Sequence, residues 1–200
     1  QLTINSDFQR AVDKALANNI DMINRVYNTG DMKAAAGAAV VLNVKDGSVL
    51  AASNYPSFDQ NLYATNYSEY SADPSLPLFN RALQGLYTPG STFKVVTLSA
   101  ALETGTASLT STYQAPGSMD IGNAPVTNSA NESYGTISLQ QAFAVSSNVV
   151  FGQVANEVGA SSLVQFANAF GYGQKLGQDL TTAASIMADP SLMTEWETAW

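Results

Sequence analysis

The sequence contains neither cysteine nor histidine. The absence of cysteine excludes thiol nucleophiles, disulfides and thiolate metal sites, and the absence of histidine excludes imidazole ligands. A serine hydrolase that uses a histidine as its general base is excluded as well. Any acyl-transfer chemistry in this chain must therefore use a lysine, a carboxylate or an amine as the base.

Charged residues are also scarce, at 12% of the 200 residues, whereas an average soluble domain has about 25%. The formal net charge of −8 argues against nucleic acid and against anionic lipid as partners, because both require a basic surface. No apolar run approaches the roughly 20 residues that span a bilayer. Hydrophobic residues make up 46% of the chain, which is enough for one domain with a sizeable core or for part of a larger one.

The first quarter of the sequence predicts a helix followed by a β-hairpin. Ser6 and Gln9 have the spacing of a capping box, and apolar residues then recur at helical spacing as far as Tyr27. The Asp46-Gly47 pair between two apolar runs indicates a hairpin turn. Because two strands alone form a marginal sheet, we expect this hairpin to lack strand partners within the chain.

The rest of the sequence predicts loops and helices. Residues 54–88 show no periodicity and residues 106–135 are polar and rich in turn formers, so we expect loops there, with a helix from Ser91 to Glu103 between them. Ser138 and Gln141 form a second capping box. Four helical segments are predicted from that point: Ser138 to Val145, the apolar stretch that follows the break at Ser146-Ser147-Asn148 and runs to Val158, Ser162 to about Gly171, and the chain from Leu180 onwards.

Ser91 and Lys94 are the leading candidates for catalytic chemistry. Residues three apart lie on one face of a helix, so Lys94 would reach the hydroxyl of Ser91. Ser91 follows Pro89-Gly90 at a predicted helix N-terminus, where backbone N–H groups favour developing negative charge. The apolar neighbours of Lys94 favour the lowered pKa that a lysine base needs. A helix cap followed by a surface lysine accounts for the same short pattern, so the pattern alone does not decide.

Ser146-Ser147-Asn148 is the second candidate, because it interrupts an apolar helical stretch. Such a polar break can place a hydroxyl and an amide in a cleft. Ser146 would then relay a proton between Lys94 and a leaving group, and Asn148 would hold a substrate amide. Ser129-Ala130-Asn131 matches the same pattern, but it lies in a polar segment where a solvated turn is the simpler interpretation.

Beyond these short motifs, the segment from Asn80 to Lys94 closely resembles the nucleophile segment of high-molecular-weight penicillin-binding proteins of class B. Gly37 to Asn61 resembles the first hairpin of their transpeptidase domain, and Leu2 to Gln9 resembles its start. Ser146-Ser147-Asn148 falls where their second motif is expected. The resemblance runs from Gln1 to about Gly177.

The resemblance implies an α+β fold of the β-lactamase/transpeptidase type, with residues 1–200 forming one partial transpeptidase domain and no separate second domain. It implies a D,D-transpeptidase that cross-links peptidoglycan stem peptides through an acyl-enzyme on Ser91. Lys94 would be the general base, Ser146 the proton relay and Asn148 a contact to the substrate amide. No metal or organic cofactor is implied.

The resemblance also implies partners and a location. Stem peptides would be the substrates, β-lactam antibiotics would acylate Ser91, and a membrane glycosyltransferase would be a protein partner. The expected location is outside the cytoplasm, with the membrane anchor in the parent protein rather than in this chain.

The third motif of the family, Lys-Thr-Gly or Lys-Ser-Gly, is absent. Lys175, the last lysine, is followed by Leu176-Gly177, and Lys45-Asp46-Gly47 precedes Ser91 and matches the hairpin turn. We therefore expect the sequence to be the N-terminal part of the domain, namely the first helix, the hairpin and the helical subdomain without the later sheet strands. It follows that the isolated chain is expected to be weakly acylated or inactive. Its hairpin edge is expected to be exposed or paired with another copy.

Two other functions remain open at this stage. A β-lactamase or β-lactam sensor domain shares the fold, but a class A β-lactamase uses an additional glutamate, and Glu157 is a poor candidate because it falls in the helix predicted after Asn148. A non-catalytic wall-associated homologue is compatible with the missing third motif. Such a protein has no physical need for Ser91 and Lys94.

Overall fold

The computed structural model describes residues 2–27, 33–122, 124–175 and 180–187. These residues form two compact units. The first unit comprises the chain up to Leu86 with residues 180–183, and the second runs from Tyr87 to Lys175 with residues 184–187. None of the helices in these ranges combines the length and the apolar character that crossing a bilayer requires.

The first unit is built from a long helix, α1, and an antiparallel hairpin of two strands, β1 and β2. Gln9 of the helix donates hydrogen bonds to the carbonyl of Ala52 and the hydroxyl of the buried Ser53, and it accepts one from the N–H of Ala52. In the described residues, the two strands pair only with each other, as predicted. The bounds are Ser6–Val26 for α1, Gly37–Leu42 for β1 and Val49–Tyr55 for β2.

The predicted cap of α1 is wrong. Asn5 caps the helix, because its side-chain oxygen accepts hydrogen bonds from the N–H groups of Asp7 and Phe8. The side chain of Gln9 cannot close a box with Ser6, since it is already bonded to β2. Gln9 therefore joins α1 to the hairpin and takes no part in the cap of the helix.

The predicted long loop at 54–88 is also wrong, because it contains two helices, α2 (Tyr63–Ala72) and α3 (Arg81–Gln84). Apolar periodicity does not mark α2, which is largely exposed and rich in tyrosine and serine. Asn80 caps α3 by accepting from the N–H of Leu83. The buried guanidinium of Arg81 donates to two backbone carbonyls of the preceding turn, those of Ser75 and Leu76.

The second unit has a helical core and a small β region. The helices are α4 (Lys94–Glu103), α5 (Leu139–Ala144), α6 (Asn148–Val158) and α7 (Ala160–Ala169); the strands are β3 (Thr112–Ala115), β4 (Ser118–Ile121), β5 (Ala124–Thr127) and β6 (Gly135–Ser138). The core brings together the four helices, and its fully buried members include Ala100, Leu139 and Val150. Two antiparallel strand pairs flank it, β3 with β6 and β4 with β5.

The sequence predictions for this unit have mixed outcomes. The capping box of Ser138 and Gln141 is confirmed, as is the break between α5 and α6. The loop expected at 106–135 is wrong, because this range contains β3, β4 and β5. Strands of four residues are too short to show the alternating pattern of apolar residues that predicts a strand. The helix expected from Ser162 begins two residues earlier, at Ala160. Residues 180–187 are not helical, and the remainder of the helix predicted there lies outside the described residues.

Candidate active site

Ser91 lies on a tight turn that leads into α4. A 3₁₀ segment spans Gly90–Phe93, so the α-helix predicted from Ser91 begins only at Lys94. Gly90 has a φ of +57°, which glycine adopts without steric cost. The N–H and hydroxyl of Thr92 both donate to the carbonyl of Pro89 and close the turn. Ser91 is therefore exposed at the surface on this turn, three residues before the buried Lys94 that begins α4.

The amine of Lys94 lies at the centre of a ring of oxygen atoms. Its Nζ is 3.2 Å from the Oγ of Ser91, 2.9 Å from the Oγ of Ser146, 2.6 Å from the carbonyl oxygen of Ser146 and 2.7 Å from the Oδ1 of Asn148. The side chain is buried, with 9% of its surface exposed. Among the described residues no carboxylate pairs with it. Burial without a counter-charge lowers the pKa of Lys94.

The four oxygen atoms around Lys94 are not equivalent. The carbonyl oxygen of Ser146 and the Oδ1 of Asn148 can only accept hydrogen bonds, whereas the two serine hydroxyls can also donate. The orientation of the Asn148 amide is fixed, because its Nδ2 donates to the carbonyl oxygen of Thr127 at 2.9 Å. A neutral amine satisfies both carbonyl-type acceptors with its two N–H groups. Its lone pair is then left for a hydroxyl of Ser91 or Ser146.

Ser146 reaches Lys94 through an unusual backbone conformation. Its φ is +54°, in the left-handed region, which costs a non-glycine residue about 1–2 kcal/mol. The N–H of Ser146 donates to the carbonyl of Phe143, and the next N–H donates to the carbonyl of Ala142, so the chain ends α5 in a tight turn. This turn brings both the carbonyl and the hydroxyl of Ser146 within hydrogen-bond distance of one amine. Strain of this kind is typical of functional sites.

A buried hydrogen-bond network lies beneath this turn, and the sequence reasoning missed it. Asn128, only 3% exposed, accepts at Oδ1 from the hydroxyl of Ser147 at 3.0 Å and from the N–H of Val149 at 3.1 Å. Its Nδ2 donates to the carbonyls of Pro116 and Glu132. No motif marks Asn128 in the sequence, because its partners come from three separate segments of the chain.

The structure thus brings together the four residues that the sequence singled out, Ser91, Lys94, Ser146 and Asn148, around one amine. Their chemical roles remain predictions. Ser129-Ala130-Asn131, the other match to the second motif, forms an exposed 3₁₀ turn and makes none of the contacts to Lys94.

Glu157 lies near the other end of α6, about 13 Å from Asn148 along the helix axis at 1.5 Å per residue. Its carboxylate accepts a hydrogen bond from the hydroxyl of Tyr113 at 2.9 Å. Burial, together with this hydrogen bond and the negative charge, raises the pKa of Tyr113 to about 12. The pair therefore belongs to the packing of β3 against α6 rather than to the surroundings of Ser91.

Comparison with known proteins shows to which family this chain belongs. The family model for the penicillin binding protein transpeptidase domain matches residues 37–196. The peptidoglycan D,D-transpeptidase PbpA of Mycobacterium tuberculosis is 40% identical over 152 residues, which are 68% of this chain and 30% of that protein. The chain therefore spans about 30% of the length of this curated relative.

Solved structures agree with the family model. The D,D-transpeptidase domain of a peptidoglycan glycosyltransferase from Eggerthella lenta has a TM-score of 0.79 at 37% identity, covering 92% of this chain and 40% of that one. The penicillin G acyl-enzyme complex of penicillin-binding protein A from M. tuberculosis has a TM-score of 0.71 at 32% identity, covering 86% of this chain and 40% of that one. The α+β prediction of a β-lactamase/transpeptidase fold is confirmed. The chain belongs to the transpeptidase domain family of the class B penicillin-binding proteins.

Proposed function

We propose that this chain carries the acylation centre of a serine-type D,D-transpeptidase, which cross-links peptidoglycan stem peptides through an acyl-enzyme. The observation that supports this proposal most strongly is the environment of Lys94. Its amine is buried, lacks a carboxylate partner among the described residues and lies 3.2 Å from the hydroxyl of Ser91. In a chain without histidine, a buried lysine whose pKa is lowered is a base that can take the proton of a neighbouring serine.

In the first half-reaction, the Oγ of Ser91 attacks the carbonyl carbon of the penultimate D-Ala of a stem peptide. The hydroxyl proton passes to the Nζ of Lys94, which becomes an ammonium. The C–N bond to the terminal D-Ala then breaks, and an ester to Ser91 forms. The Oγ of Ser146, 2.9 Å from Nζ, relays the proton from Lys94 to the amine that leaves.

In the second half-reaction, an amine from a neighbouring stem attacks the ester carbonyl. It gives up a proton through Ser146 to Lys94, and the new amide bond forms as the Oγ of Ser91 leaves and takes the proton back. The carbonyl-type acceptors around Nζ suit this cycle, because they hold the amine in place in both of its protonation states. No metal or organic cofactor takes part in either step.

The amide of Asn148 has one N–H left for a substrate. Its Oδ1 accepts from Lys94, and one of its two N–H groups donates to the carbonyl of Thr127. We assign the second N–H to the carbonyl oxygen of the substrate amide. Asn148 would then orient the stem peptide and Lys94 with one side chain.

Stem peptides and β-lactams are the proposed ligands. The M. tuberculosis relative forms a penicillin G acyl-enzyme complex. Another solved structure, with a TM-score of 0.83 at 30% identity, concerns the coordination of polymerization and crosslinking by a peptidoglycan synthase complex. By analogy, β-lactams would acylate Ser91, and a membrane glycosyltransferase would be the protein partner. The chemistry would take place outside the cytoplasm, with the parent protein anchored to the membrane.

The missing Lys-Thr-Gly motif limits what this chain does alone. In the family that motif supplies the second oxyanion N–H and the contact to the substrate carboxylate, and the 200-residue sequence does not contain it. We therefore expect the isolated chain to be acylated weakly or not at all. The hairpin pairs with no third strand in the described ranges, so self-association through its edge is expected at high concentration.

Intact-mass spectrometry with and without penicillin G, followed by peptide mapping, tests the proposal. We expect a single adduct on Ser91, faint or absent in the 200-residue chain and stoichiometric in a version that carries the Lys-Thr-Gly motif. S91A serves as the control for the nucleophile. A version with the motif that forms no adduct, or one labelled equally in S91A, would contradict the assignment.

A further inference from the structure

The buried network beneath the catalytic turn has one side chain at its centre, that of Asn128. Oδ1 accepts two hydrogen bonds and Nδ2 donates two, so the amide has no unused hydrogen-bonding capacity. The backbone N–H of Asn128 also donates, to the carbonyl of Gly117 at 2.9 Å. A side chain that is 3% exposed and fully bonded to three segments is held in one orientation.

We propose that Asn128 is a positioning residue for the transpeptidase reaction, because it fixes the turn that supplies the partners of Lys94. The inference rests on the proposed function and deepens it. Asn128 does not touch Lys94 or Ser91. It acts through Ser147 and Val149, and these two residues stand on either side of Asn148 in the chain.

The path from Asn128 to the amine is short. The hydroxyl of Ser147 donates to Asn128 and also accepts from the N–H of Val150 in the first turn of α6, so Ser147 caps this helix. Ser147 therefore cannot move without breaking both the helix cap and the link to Asn128. The two residues flanking Ser147 in the sequence are Ser146 and Asn148, which supply three of the four oxygen atoms around Lys94.

A second link joins the same segment to Asn148. Thr127, the residue before Asn128, accepts from the Nδ2 of Asn148 through its carbonyl oxygen. Residues 127 and 128 together thus hold the segment 147–149 at three points, namely one hydroxyl, one amide and one backbone N–H. This arrangement resists the left-handed strain at Ser146, which would otherwise favour relaxation of the turn away from the amine.

The chemistry at this position requires a carboxamide. An aspartate keeps an acceptor oxygen for Ser147 and Val149 but replaces the donating Nδ2 by a second oxygen, and it would place a charge against the carbonyls of Pro116 and Glu132. An alanine leaves those carbonyls, the hydroxyl of Ser147 and the N–H of Val149 without their partner. A role confined to stability predicts that such changes lower the melting temperature only. A positioning role predicts that they also slow acylation in the molecules that remain folded.

The test compares the acylation rates of N128A and wild type at a temperature well below the melting temperature. It uses the form of the chain that penicillin labels. S129A is the matched control, because Ser129 is the next residue, is exposed and has no hydrogen bond from its hydroxyl among the described contacts. We expect N128A to reduce the limiting acylation rate by about 10- to 100-fold, because a displacement of about 1 Å in a catalytic group has that effect. The half-saturating penicillin concentration is expected to change less than threefold.

Hydrogen exchange supplies a readout that does not depend on activity. The N–H of Ser147 donates to Ala142 and not to Asn128, so faster exchange there reports movement of the turn itself. We expect at least tenfold faster exchange at Ser147 in N128A and no change in S129A. If wild type does not label even when the Lys-Thr-Gly motif is supplied, the proposed function is refuted, and the exchange result still decides whether Asn128 holds the turn.

Two results would overturn the positioning role. One is a folded N128A with unchanged exchange at Ser147. The other is a limiting acylation rate of folded N128A within threefold of wild type. If N128A does not fold, S147A replaces it, because this change removes the hydroxyl link and leaves Asn128 bonded to Val149, Pro116 and Glu132. An unchanged acylation rate in S147A would then overturn the inference.

Discussion

The left-handed conformation of Ser146 allows its catalytic and its conformational contributions to be separated by two substitutions. S146A and S146G both remove the hydroxyl 2.9 Å from the amine of Lys94, and both keep the backbone carbonyl that also contacts this amine. Alanine retains the cost of about 1–2 kcal/mol for a φ of +54°. Glycine avoids this cost but loses about 0.5–1 kcal/mol of backbone entropy relative to alanine. The difference leaves S146G more stable than S146A by about 1 kcal/mol.

Thermal unfolding measures this difference. For a protein of this size, about 1 kcal/mol corresponds to a melting temperature about 2–4 °C higher in S146G than in S146A. A144G is the matched control, since Ala144 precedes the turn in the helical conformation of α5 and glycine there costs about 1 kcal/mol instead. The same change to glycine is therefore expected to have opposite signs two residues apart.

The same two variants test the proton relay. Because both lack the hydroxyl, both are expected to slow acylation of Ser91 by penicillin by about 10²- to 10⁴-fold, the range for a lost general acid–base group. Equal stability of S146G and S146A would refute the conformational reasoning. An acylation rate within threefold of wild type in either variant would refute the role of Ser146 as relay.

Three further predictions follow from the structure. Burial lowers the pKa of Lys94 in the folded protein, so the unfolded chain binds more protons between that pKa and the ordinary value of 10.5. The free energy of unfolding is therefore expected to rise with pH across this window. Urea unfolding at several pH values measures this rise, and K94M is the control in which the contribution of Lys94 is absent. G117A places a Cβ 2.3 Å from the carbonyl oxygen of Asn131, a backbone atom, so we expect a loss of about 1–3 kcal/mol in urea unfolding, and a loss below 0.5 kcal/mol would contradict the packing. E157Q leaves the rate of β-lactam hydrolysis unchanged, because the carboxylate is bonded to Tyr113, about 13 Å along α6 from Asn148. A tenfold change would favour the β-lactamase alternative.

The sequence predictions were correct for features that depend on hydrogen bonds between residues close together in the chain. The capping box of Ser138 and Gln141 and the polar break after α5 both depend on hydrogen bonds between residues a few positions apart. The spacing of Ser91 and Lys94 likewise brings the two side chains within hydrogen-bond distance across a single turn. These features were predictable because their causes lie within one short window of sequence.

Features that depend on tertiary contacts were not predictable. Gln9 has the right spacing for a cap but bonds to β2, 43 residues away. Asn128 gives no signal in a polar segment, since its importance comes from Ser147 and Val149 some 20 positions later. The four-residue strands of the β region are stabilised by antiparallel pairing and by packing on α6 rather than by any alternating pattern of their own.

If the neutral amine of Lys94 activates Ser91, the acylation rate must follow the protonation state of this amine, so the pH dependence of the rate tests the proposed role of Lys94. The rate of labelling by a fluorescent penicillin would be measured from pH 5 to pH 11 in the form of the chain that labels, with the labelled residue verified by mapping. Since only the neutral amine accepts a proton, we predict a rate that rises with pH and levels off below 10.5, the ordinary pKa of lysine. A rate independent of pH, or one that levels off only near the ordinary lysine pKa, would contradict it.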